Sequence, residues 1–331
     1  MTTAAIILGG AQVWGDHSLE TVCPRLLLPV ANAPLVHYTV EWLRSAGIQS
    51  AVLCANHGTR LLRARLGTAS TLSLDLQYYE DRLPRGPAGC ARDAATVCPA
   101  DTYVVVESAL LPSFDLAELL AAHGRSRAAA TIAVAAPDRG DELESSEYPV
   151  GVYVFSSTAL ERVPGVGYRD IKEGLVPDLH RAGQSIGMFI VSAAPPRVDG
   201  LAAYLRAQAW MLDRLARFGT PRPGYVQDGQ VHRHSTAQVA AGARLLGQVM
   251  VGARARIEEG AIVMGPTTIG DDCVLGAGCA VGRAVLMAGS RVGNGARVEQ
   301  CLVATGSRVP DRVLVYGTIY LEAGALALAA G

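Results

Sequence analysis

Short apolar runs alternate with amphipathic stretches along the chain up to residue 218. Runs bounded by Gly, Pro or polar residues are typical of buried strands, and stretches with apolar residues at helical spacing are typical of surface helices. Their alternation predicts a sheet with parallel strands and helices on both faces. Strands are predicted at 4–8, 50–55, 72–79, 103–106, 131–135, 150–155 and 186–192, and helices at 34–46, 59–66, 91–97, 114–123, 170–181 and 204–218.

A different period begins after residue 224, where one aliphatic residue recurs at every sixth position. Small residues fill many of the intervening positions, and after one slip the pattern continues at Val292 and Val298. A six-residue period is the signature of a parallel β-helix, whose coils each turn the aliphatic side chain inward and stack on the next coil. The change of pattern predicts two domains, residues 1–222 and 223–331. The positions in unbroken register are Val239, Leu245, Val251, Ile257, Val263, Ile269, Leu275 and Val281.

Composition and charge narrow the choice of partners and compartment. The chain has 331 residues, 50% of them apolar, and a net charge of −1, which offers no basic excess for nucleic acid. Its seven cysteines show no metal-binding spacing, so reduced thiols are expected. The first residues lack a signal-peptide pattern, and no apolar run approaches the length of a membrane span. We therefore expect a cytoplasmic protein with neither a nucleic-acid nor a membrane partner.

The first predicted strand ends in two glycines, Gly9 and Gly10, directly after Leu8. Ligands of open α/β sheets bind at the carboxyl ends of the strands, and glycines let the backbone approach a phosphate. Leu8, Gly9 and Gly10 are therefore predicted to contact a nucleotide, with an ordinary strand-to-loop turn as the alternative. The loop offers no Lys or Arg before Arg25, and Asp16 within it would repel phosphate.

Several segments resemble motifs of one enzyme family. Residues 7–10 match the pattern L-x-G-G, residues 24–35 match P-K-x-L-L-P-V-x-N-x-P-L almost letter for letter, and residues 85–92 match L-G-T-A-G-A-x-R. Together with the hexapeptide tail, they make the chain resemble the sugar-1-phosphate nucleotidyltransferase (NDP-sugar pyrophosphorylase) family, in its two-domain GDP-mannose or glucose-1-phosphate form. The resemblance covers nearly the whole chain. It implies an α/β fold with a Rossmann-like, GT-A-like mixed sheet, followed by a left-handed parallel β-helix.

Members of this family join a nucleoside triphosphate to a sugar 1-phosphate and release pyrophosphate. Because this reaction brings several negative charges together, it needs metal ions held by carboxylates and Arg or Lys on the phosphates. The family's catalytic Lys aligns with Arg25, which either holds a phosphate or pairs with an acidic residue nearby. Pro87, Ala88 and Gly89 are predicted to contact the nucleotide base through their backbone, because an Ala-Gly pair lets a ring approach closely, with a tight helix start as the alternative.

The resemblance fails at the charged positions. The family's first metal-binding Asp aligns with Ala109 and the second with Arg197, which leaves Glu107 and Asp199 as substitute metal candidates. The triphosphate-binding Arg of the family loop has no counterpart, and the sugar-phosphate motif E-K-P is not found between residues 134 and 151. No metal site is assigned, and Mg²⁺ is expected only if the protein is an active enzyme.

Three functions stay open. The first is a protein of nucleotide-sugar metabolism that binds a nucleotide or NDP-sugar, has weak or absent pyrophosphorylase activity, and regulates or scaffolds an active relative. The second is an active enzyme that makes an NDP-sugar from a nucleoside triphosphate and a sugar 1-phosphate. The third, more remote, is a hexapeptide acyltransferase acting through His232 or His234, which otherwise belong to a polar first coil. The open edges of the β-helix predict self-association, as a homo-oligomer or with an active relative.

Overall fold

A computed structural model describes residues 2–9, 19–55, 59–66, 74–81, 85–136, 147–219 and 222–322. Contacts divide these residues into two compact units. One is built from the residues up to 9 and 36–196, and the other from residues 19–35 and those from 197 onward. None of the described helices is both long and apolar enough to cross a membrane.

The predicted alternation of strands and helices is confirmed up to residue 218, with element ends shifted by several residues. One further short helix, α5, follows a strand directly, and a π-helix (Ile171–Leu175) precedes α6. The elements in chain order are β1 (Thr3–Leu8), β2 (Pro29–Val30), β3 (Ala33–Pro34), α1 (Leu35–Ser45), β4 (Ser50–Ala55), α2 (Thr59–Leu66), β5 (Asp75–Glu80), α3 (Gly86–Val97), β6 (Thr102–Glu107), α4 (Leu116–Ser126), β7 (Ala130–Ala135), β8 (Tyr148–Ser156), α5 (Ser157–Glu161), α6 (Val176–Arg181), β9 (Ile186–Val191) and α7 (Leu201–Phe218).

The first unit is organised around one seven-stranded sheet with the order β5-β4-β1-β6-β8-β7-β9. β1 pairs in parallel with β4 and β6, whereas β8 runs antiparallel to both β6 and β7. The sheet is therefore mixed, as the family resemblance implied. The register sets Leu8 beside Cys54 on one side and Glu107 on the other, so the carboxyl ends of three strands meet there.

Most residues of the central strands are buried on both faces, which explains their near-continuous apolar sequences. One face forms a core with α3, α5 and the π-helix, in which Ile6, Val105 and Tyr153 are buried. Burying one such apolar side chain stabilises the folded state by about 1.5–3 kcal/mol. The carboxyl ends of the strands therefore rest on a well-packed base.

Helix α3 begins at Gly86 rather than at Ala91. The predicted start of this helix at residue 91 is therefore wrong, because Pro87 fits the first turn of a helix, where its missing N–H is not needed. Gly86 has a φ of +78°, and a Cβ there would lie 2.4 Å from the Arg169 carbonyl oxygen. Only glycine combines this backbone conformation with such a close approach.

The coils of the second unit follow α7. Their strands are short because each coil turns through three sides. They are β10 (Tyr225–Asp228), β11 (Val231–His234), β12 (Gln238–Val239), β13 (Arg244–Leu246), β14 (Val249–Val251), β15 (Arg256–Ile257), β16 (Ile262–Met264), β17 (Thr267–Ile269), β18 (Val274–Leu275), β19 (Ala280–Gly282), β20 (Val285–Leu286), β21 (Arg291–Val292), β22 (Arg297–Glu299), β23 (Leu302–Val303), β24 (Arg308–Val309), β25 (Leu314–Tyr316) and β26 (Ile319–Tyr320).

These strands form three sheets, with orders β10-β11-β14-β17-β20-β23-β26, β12-β15-β18-β21-β24 and β13-β16-β19-β22-β25. All pairings are parallel apart from that of β10 with β11. Six of the eight aliphatic positions predicted to face inward are buried in the coil core, and Val239 and Leu245 are half-buried against it. The parallel β-helix is thereby confirmed, and its left hand stays a prediction.

Paired residues explain the slip in the six-residue pattern. Val249 pairs with Thr267, a spacing of 18 residues, or three hexapeptides. In the later coils Thr268 pairs with Val285, and Val285 with Leu302, a spacing of 17 residues in both cases. Each later coil has therefore lost one residue, and the inward positions continue after the shorter step.

Helix α7 and the 29–34 hairpin belong with the coils rather than with the large sheet. Tyr204 and Gln208 on α7 both donate to the carbonyl oxygen of Pro29, each at 2.5 Å. The Gln208 side-chain oxygen also accepts from the Ala31 N–H at 2.9 Å and from the Thr268 hydroxyl at 3.2 Å. The contacts group α7 with the coils, whereas the sequence predicts a domain boundary after residue 222. That boundary stays a prediction.

Candidate functional site

The predicted nucleotide-binding strand end lies at the carboxyl edge of the large sheet. Leu8 is 8% exposed, and its carbonyl oxygen accepts from the Ser108 N–H at 3.1 Å. The Gly9 N–H donates to the carbonyl oxygen of Cys54 at 2.6 Å, so it continues the sheet and is not offered to a phosphate. Gly10 and the loop containing Asp16 lie outside the described residues. Nucleotide binding by Leu8, Gly9 and Gly10 stays a prediction.

Pro87, Ala88 and Gly89 form the first turn of α3, and Ala88 and Gly89 are buried. The Ala88 N–H donates to the Arg169 carbonyl oxygen at 3.1 Å, so it is not free for a base. This geometry favours the alternative of a tight helix start. The predicted contact of these residues with a nucleotide base stays untested.

A buried thiol pair lies where α3 meets the strand ends. Burial, and secondarily contact with the Cys90 thiol, raises the pKa of the Cys54 thiol well above its usual value. A thiol of raised pKa is a poor nucleophile. Cys54 therefore acts as a small core residue.

Glu107, one of the two substitute metal candidates, ends strand β6 beside a cation. Its Oε1 accepts from the Tyr153 hydroxyl at 3.2 Å and lies 3.5 Å from the Lys172 ammonium. Tyr153 is buried and stacks on Phe155 with ring centroids 6.0 Å apart. Glu107 thus contacts both a hydroxyl of a buried tyrosine and the Lys172 ammonium.

Lys172 is a candidate site residue that was not predicted from the sequence. A signal was present, because Lys172 is the only lysine among the 29 Lys and Arg residues of the chain. The π-helix that carries it is capped by Asp170, whose carboxylate accepts the Lys172 N–H at 2.6 Å. The first unit therefore presents a carboxylate and an ammonium together at the carboxyl end of β6.

Arg25, the predicted catalytic residue, lies in the second unit and is paired with two carboxylates. Its guanidinium contacts Glu20, and it lies 3.5 Å from the Asp199 carboxylate. The side chains of Arg25 and Glu20 are only 16% and 10% exposed. Of the two alternatives stated for Arg25, pairing with an acidic residue is the one the structure shows. Its catalytic role stays a prediction.

Asp199, the other substitute metal candidate, also faces cations. Besides Arg25, it accepts from the Arg197 Nε at 2.7 Å. Mg²⁺ prefers several oxygen ligands, usually carboxylates together with water. Among the described residues no group of three or more His, Cys, Asp or Glu side chains converges in this way. Because Glu107 and Asp199 are each beside a cation, these residues do not fit a Mg²⁺ site.

The two histidines of the remote acyltransferase hypothesis are packed into the start of the coils. His232 is 4% exposed, and burial, followed by the charge of Arg222, lowers its pKa. His234 meets the Tyr225 ring edge-on at 5.2 Å and contacts the Thr236 hydroxyl at 2.9 Å. Both contacts favour a structural role in the first coil.

Two family models match the chain. One described as Nucleotidyl transferase matches residues 19–163, and one described as GMPPB C-terminal domain matches residues 245–322. The first range carries Arg25, the start of α3 and Glu107, and the second covers most of the coils. The chain belongs to the sugar-1-phosphate nucleotidyltransferase family.

Relatives within this family cover most of the chain. A mannose-1-phosphate guanylyltransferase of Mycobacterium tuberculosis is 27% identical over 302 residues, which span 84% of this chain and 83% of the relative. Mannose-1-phosphate guanylyltransferase 1 of Arabidopsis thaliana is 23% identical over 325 residues, 92% of this chain and 87% of the relative. A UTP–glucose-1-phosphate uridylyltransferase of Synechocystis is also 23% identical, over 87% and 84% of the two chains.

A solved structure described as a glucose-1-phosphate thymidylyltransferase from Bacillus anthracis, in complex with sucrose, superposes with a TM-score of 0.55. It covers 63% of this chain and 95% of that one at 16% identity, and therefore supports the fold alone. Nucleotidyltransferases named for different bases and sugars thus match this family member. Similarity places the protein in nucleotide-sugar metabolism and does not choose its base or sugar.

Proposed function

We propose that this nucleotidyltransferase-family protein binds a nucleotide or NDP-sugar, has weak or absent pyrophosphorylase activity, and serves a regulatory role. One observation carries the proposal: among the described residues, the predicted catalytic residue Arg25 and the metal candidate Glu107 are each paired with an opposite charge. Arg25 is paired with Glu20 and Asp199, and Glu107 is paired with Lys172. Phosphoryl transfer depends on positioned cations, so an Arg25 already neutralised by two carboxylates supplies little stabilisation to its transition state.

The framework around these groups supports continued ligand binding. Leu8 and Glu107 still end adjacent strands, and the core beneath them is buried. Ligands of such sheets bind at this edge. A sheet edge that still suits a ligand, in a chain whose predicted catalytic cation Arg25 is paired with carboxylates, fits a protein that senses a nucleotide sugar.

A thermal-shift panel tests binding. Nucleoside triphosphates, GDP-mannose, UDP-glucose and dTDP-glucose are each added with Mg²⁺ and with EDTA, and guanosine and uridine serve as phosphate-free controls. We expect at least one nucleotide or nucleotide sugar to raise the melting temperature. No shift with any compound in either buffer would contradict the proposal.

The active enzyme is the second candidate, and the relatives named as guanylyl- and uridylyltransferases favour it. On that alternative, Arg25 leaves its carboxylates and holds a phosphate when substrates bind. Pyrophosphate release from each nucleoside triphosphate with mannose 1-phosphate or glucose 1-phosphate distinguishes the two. A requirement for Mg²⁺ is expected only if the protein is this active enzyme.

We further propose that the protein associates with itself or with an active relative through the sheet β13-β16-β19-β22-β25. Large apolar residues on its outer side are exposed: Leu246 (42%), Met264 (43%), Leu314 (68%) and Tyr316 (60%). Leu246 and Met264 are neighbours in the register. Exposed contiguous apolar surface is typical of protein interfaces.

Sedimentation velocity tests this surface. We expect the protein to sediment as a dimer or larger at micromolar concentration, and the double variant Leu246→Asp/Met264→Asp to sediment as a monomer. Val226→Asp, at a residue 57% exposed on β10, is the matched control and should not change the assembly. A monomeric wild-type chain, mixed or not with an active relative, would rule the proposal out.

The proposed compartment is the cytoplasm. In support, the six cysteines other than Cys23 are buried free thiols. Free buried thiols are typical of proteins kept in a reducing environment.

A further inference from the structure

Lys172 stands apart from every other basic side chain of the protein. The chain uses Arg at all its other basic positions, including Arg25, where the family pattern has Lys. Arg presents a planar fork of donors, whereas Lys presents a compact ammonium on a flexible stem. The one compact ammonium lies at the carboxyl end of β6, beside the strand end where a ligand is proposed to bind.

The backbone that carries Lys172 is firmly held. The Asp170 carboxylate accepts the N–H groups of Lys172 and Glu173 at 2.6 and 3.0 Å. Ile171 and Leu175 of the same π-helix are each 2% exposed, in the core shared with α3. The Lys172 side chain itself is 45% exposed, so a fixed base carries an accessible charge.

The bond between Lys172 and Glu107 leaves donor capacity unused. The ammonium lies 3.5 Å from the Glu107 oxygen, whereas tight bonds between ammonium and carboxylate are about 2.7–2.9 Å long. An ammonium has three N–H donors, and Glu107 is the one acceptor that Lys172 faces among the described residues. Glu107 is in turn fixed by the Tyr153 hydroxyl at 3.2 Å, which steadies the ammonium near the strand end.

We propose that Lys172 binds a phosphate group of the ligand and supplies the positive charge that a metal ion would otherwise supply, so that the ligand binds without Mg²⁺. The inference rests on the proposed function, because it concerns the ligand of that same site. Ala109 stands at the aligned metal position and carries no ligand atom, and Glu107 faces the ammonium. One cation at this strand end thus takes the place of the carboxylate and metal pair.

Because Lys172 is the only lysine, its accessibility can be followed by chemistry. Reductive methylation with formaldehyde and a borane modifies Lys172 and the N-terminal amine of the untagged protein, and peptide mass spectrometry reads each rate. The N-terminal amine is the internal control. In EDTA, the nucleotide sugar that gives the largest thermal shift should slow modification of Lys172 about fivefold or more while leaving the N-terminal amine unchanged. Guanosine or uridine should slow neither.

Two variants complete the test by calorimetry in EDTA. Lys172→Met should weaken binding of that nucleotide sugar about tenfold or more, because a charge-assisted bond to phosphate is lost. Lys172→Arg, which keeps the charge, should retain affinity within about threefold. Methylation of the wild-type protein does not depend on how well either variant folds.

The outcomes separate this inference from the function beneath it. Binding that requires Mg²⁺, or tight binding that leaves the methylation rate of Lys172 and the affinity of Lys172→Met unchanged, would overturn the role of Lys172 and leave the proposed function intact. Lys172 would then form only a surface ion pair between the π-helix and β6. Failure of every nucleotide and nucleotide sugar to bind in either buffer would overturn the proposed function itself.

Discussion

Replacing Glu20 by Gln removes the charge that most closely neutralises Arg25. The two side chains are 10% and 16% exposed, so water screens their interaction little. Losing one partner of a buried ion pair costs about 3–5 kcal/mol when the other charge is left uncompensated. Asp199 remains 3.5 Å from the guanidinium in this variant, so we expect a smaller loss in the free energy of unfolding, about 1–3 kcal/mol.

Asp199→Asn is the matched control. Asp199 is 48% exposed and shared with Arg197, so its removal should cost less than about 1 kcal/mol. Urea denaturation followed by circular dichroism measures both variants, together with Arg25→Met and the double variant Glu20→Gln/Arg25→Met. The double variant should lose less than the sum of the two single losses, by about 0.5 kcal/mol or more. Equal losses for the Glu20 and Asp199 variants, or strict additivity with Arg25→Met, would refute a stabilising, part-buried Glu20–Arg25 pair.

The same substitution has a functional consequence. With one carboxylate partner removed, Arg25 carries uncompensated positive charge, and we expect Glu20→Gln to bind nucleoside triphosphate more tightly than the wild-type chain. Calorimetry measures the change, with Asp199→Asn as the weaker perturbation. An affinity equal to or lower than that of the wild-type chain would show that Glu20 does not withhold Arg25 from a ligand.

Three further predictions concern the fold. Gly86→Ala should destabilise the folded protein by about 1–3 kcal/mol, because it adds a clash with the Arg169 carbonyl oxygen to the strained φ of +78°. Gly47→Ala, at φ +83° in open space, isolates the effect of φ, and equal melting temperatures for the two variants would count against the clash. Val281→Ala, at a fully buried inward position, should lower the free energy of unfolding by about 1–3 kcal/mol. Val274→Ala, on the outer side of β18, should lower it clearly less, and similar losses would contradict the inward register. Burial lowers the pKa of His123, so the unfolded chain takes up its proton first, near pH 6.5, and stability should fall as the pH drops below that value. In His123→Gln the fall in melting temperature between pH 7 and pH 5 should be smaller, and an unchanged slope would speak against that linkage.

The regular parts of the fold could be predicted from the sequence because their patterns are local. An inward aliphatic residue at every sixth position required no knowledge of distant contacts. The positions Val263, Ile269, Leu275 and Val281 indeed lie in the coil core. The start of α3 was misplaced because Gly86 and Pro87 are typical of loops. The positive φ and the close approach of the Arg169 carbonyl explain why a glycine is the first residue of that helix.

The charge pairing of the candidate site could not be predicted, because it depends on residues far apart in sequence. Asp199 reaches Arg25 only through the fold of the second unit, and Lys172 reaches Glu107 only because the π-helix packs beside the large sheet. Motif matching showed which charges were missing relative to the family. It could not show that the remaining charges neutralise one another.

The rate of pyrophosphate release tests the central claim most directly. The wild-type protein and Arg25→Ala are each incubated with Mg²⁺, a nucleoside triphosphate and a sugar 1-phosphate, across the panel of bases and with mannose or glucose 1-phosphate. Typical enzymes turn over at about 1–1000 per second. We expect the wild-type rate to lie far below this range and to be little changed in Arg25→Ala, although a nucleotide or nucleotide sugar binds. A wild-type rate within the range that disappears in Arg25→Ala would contradict the account.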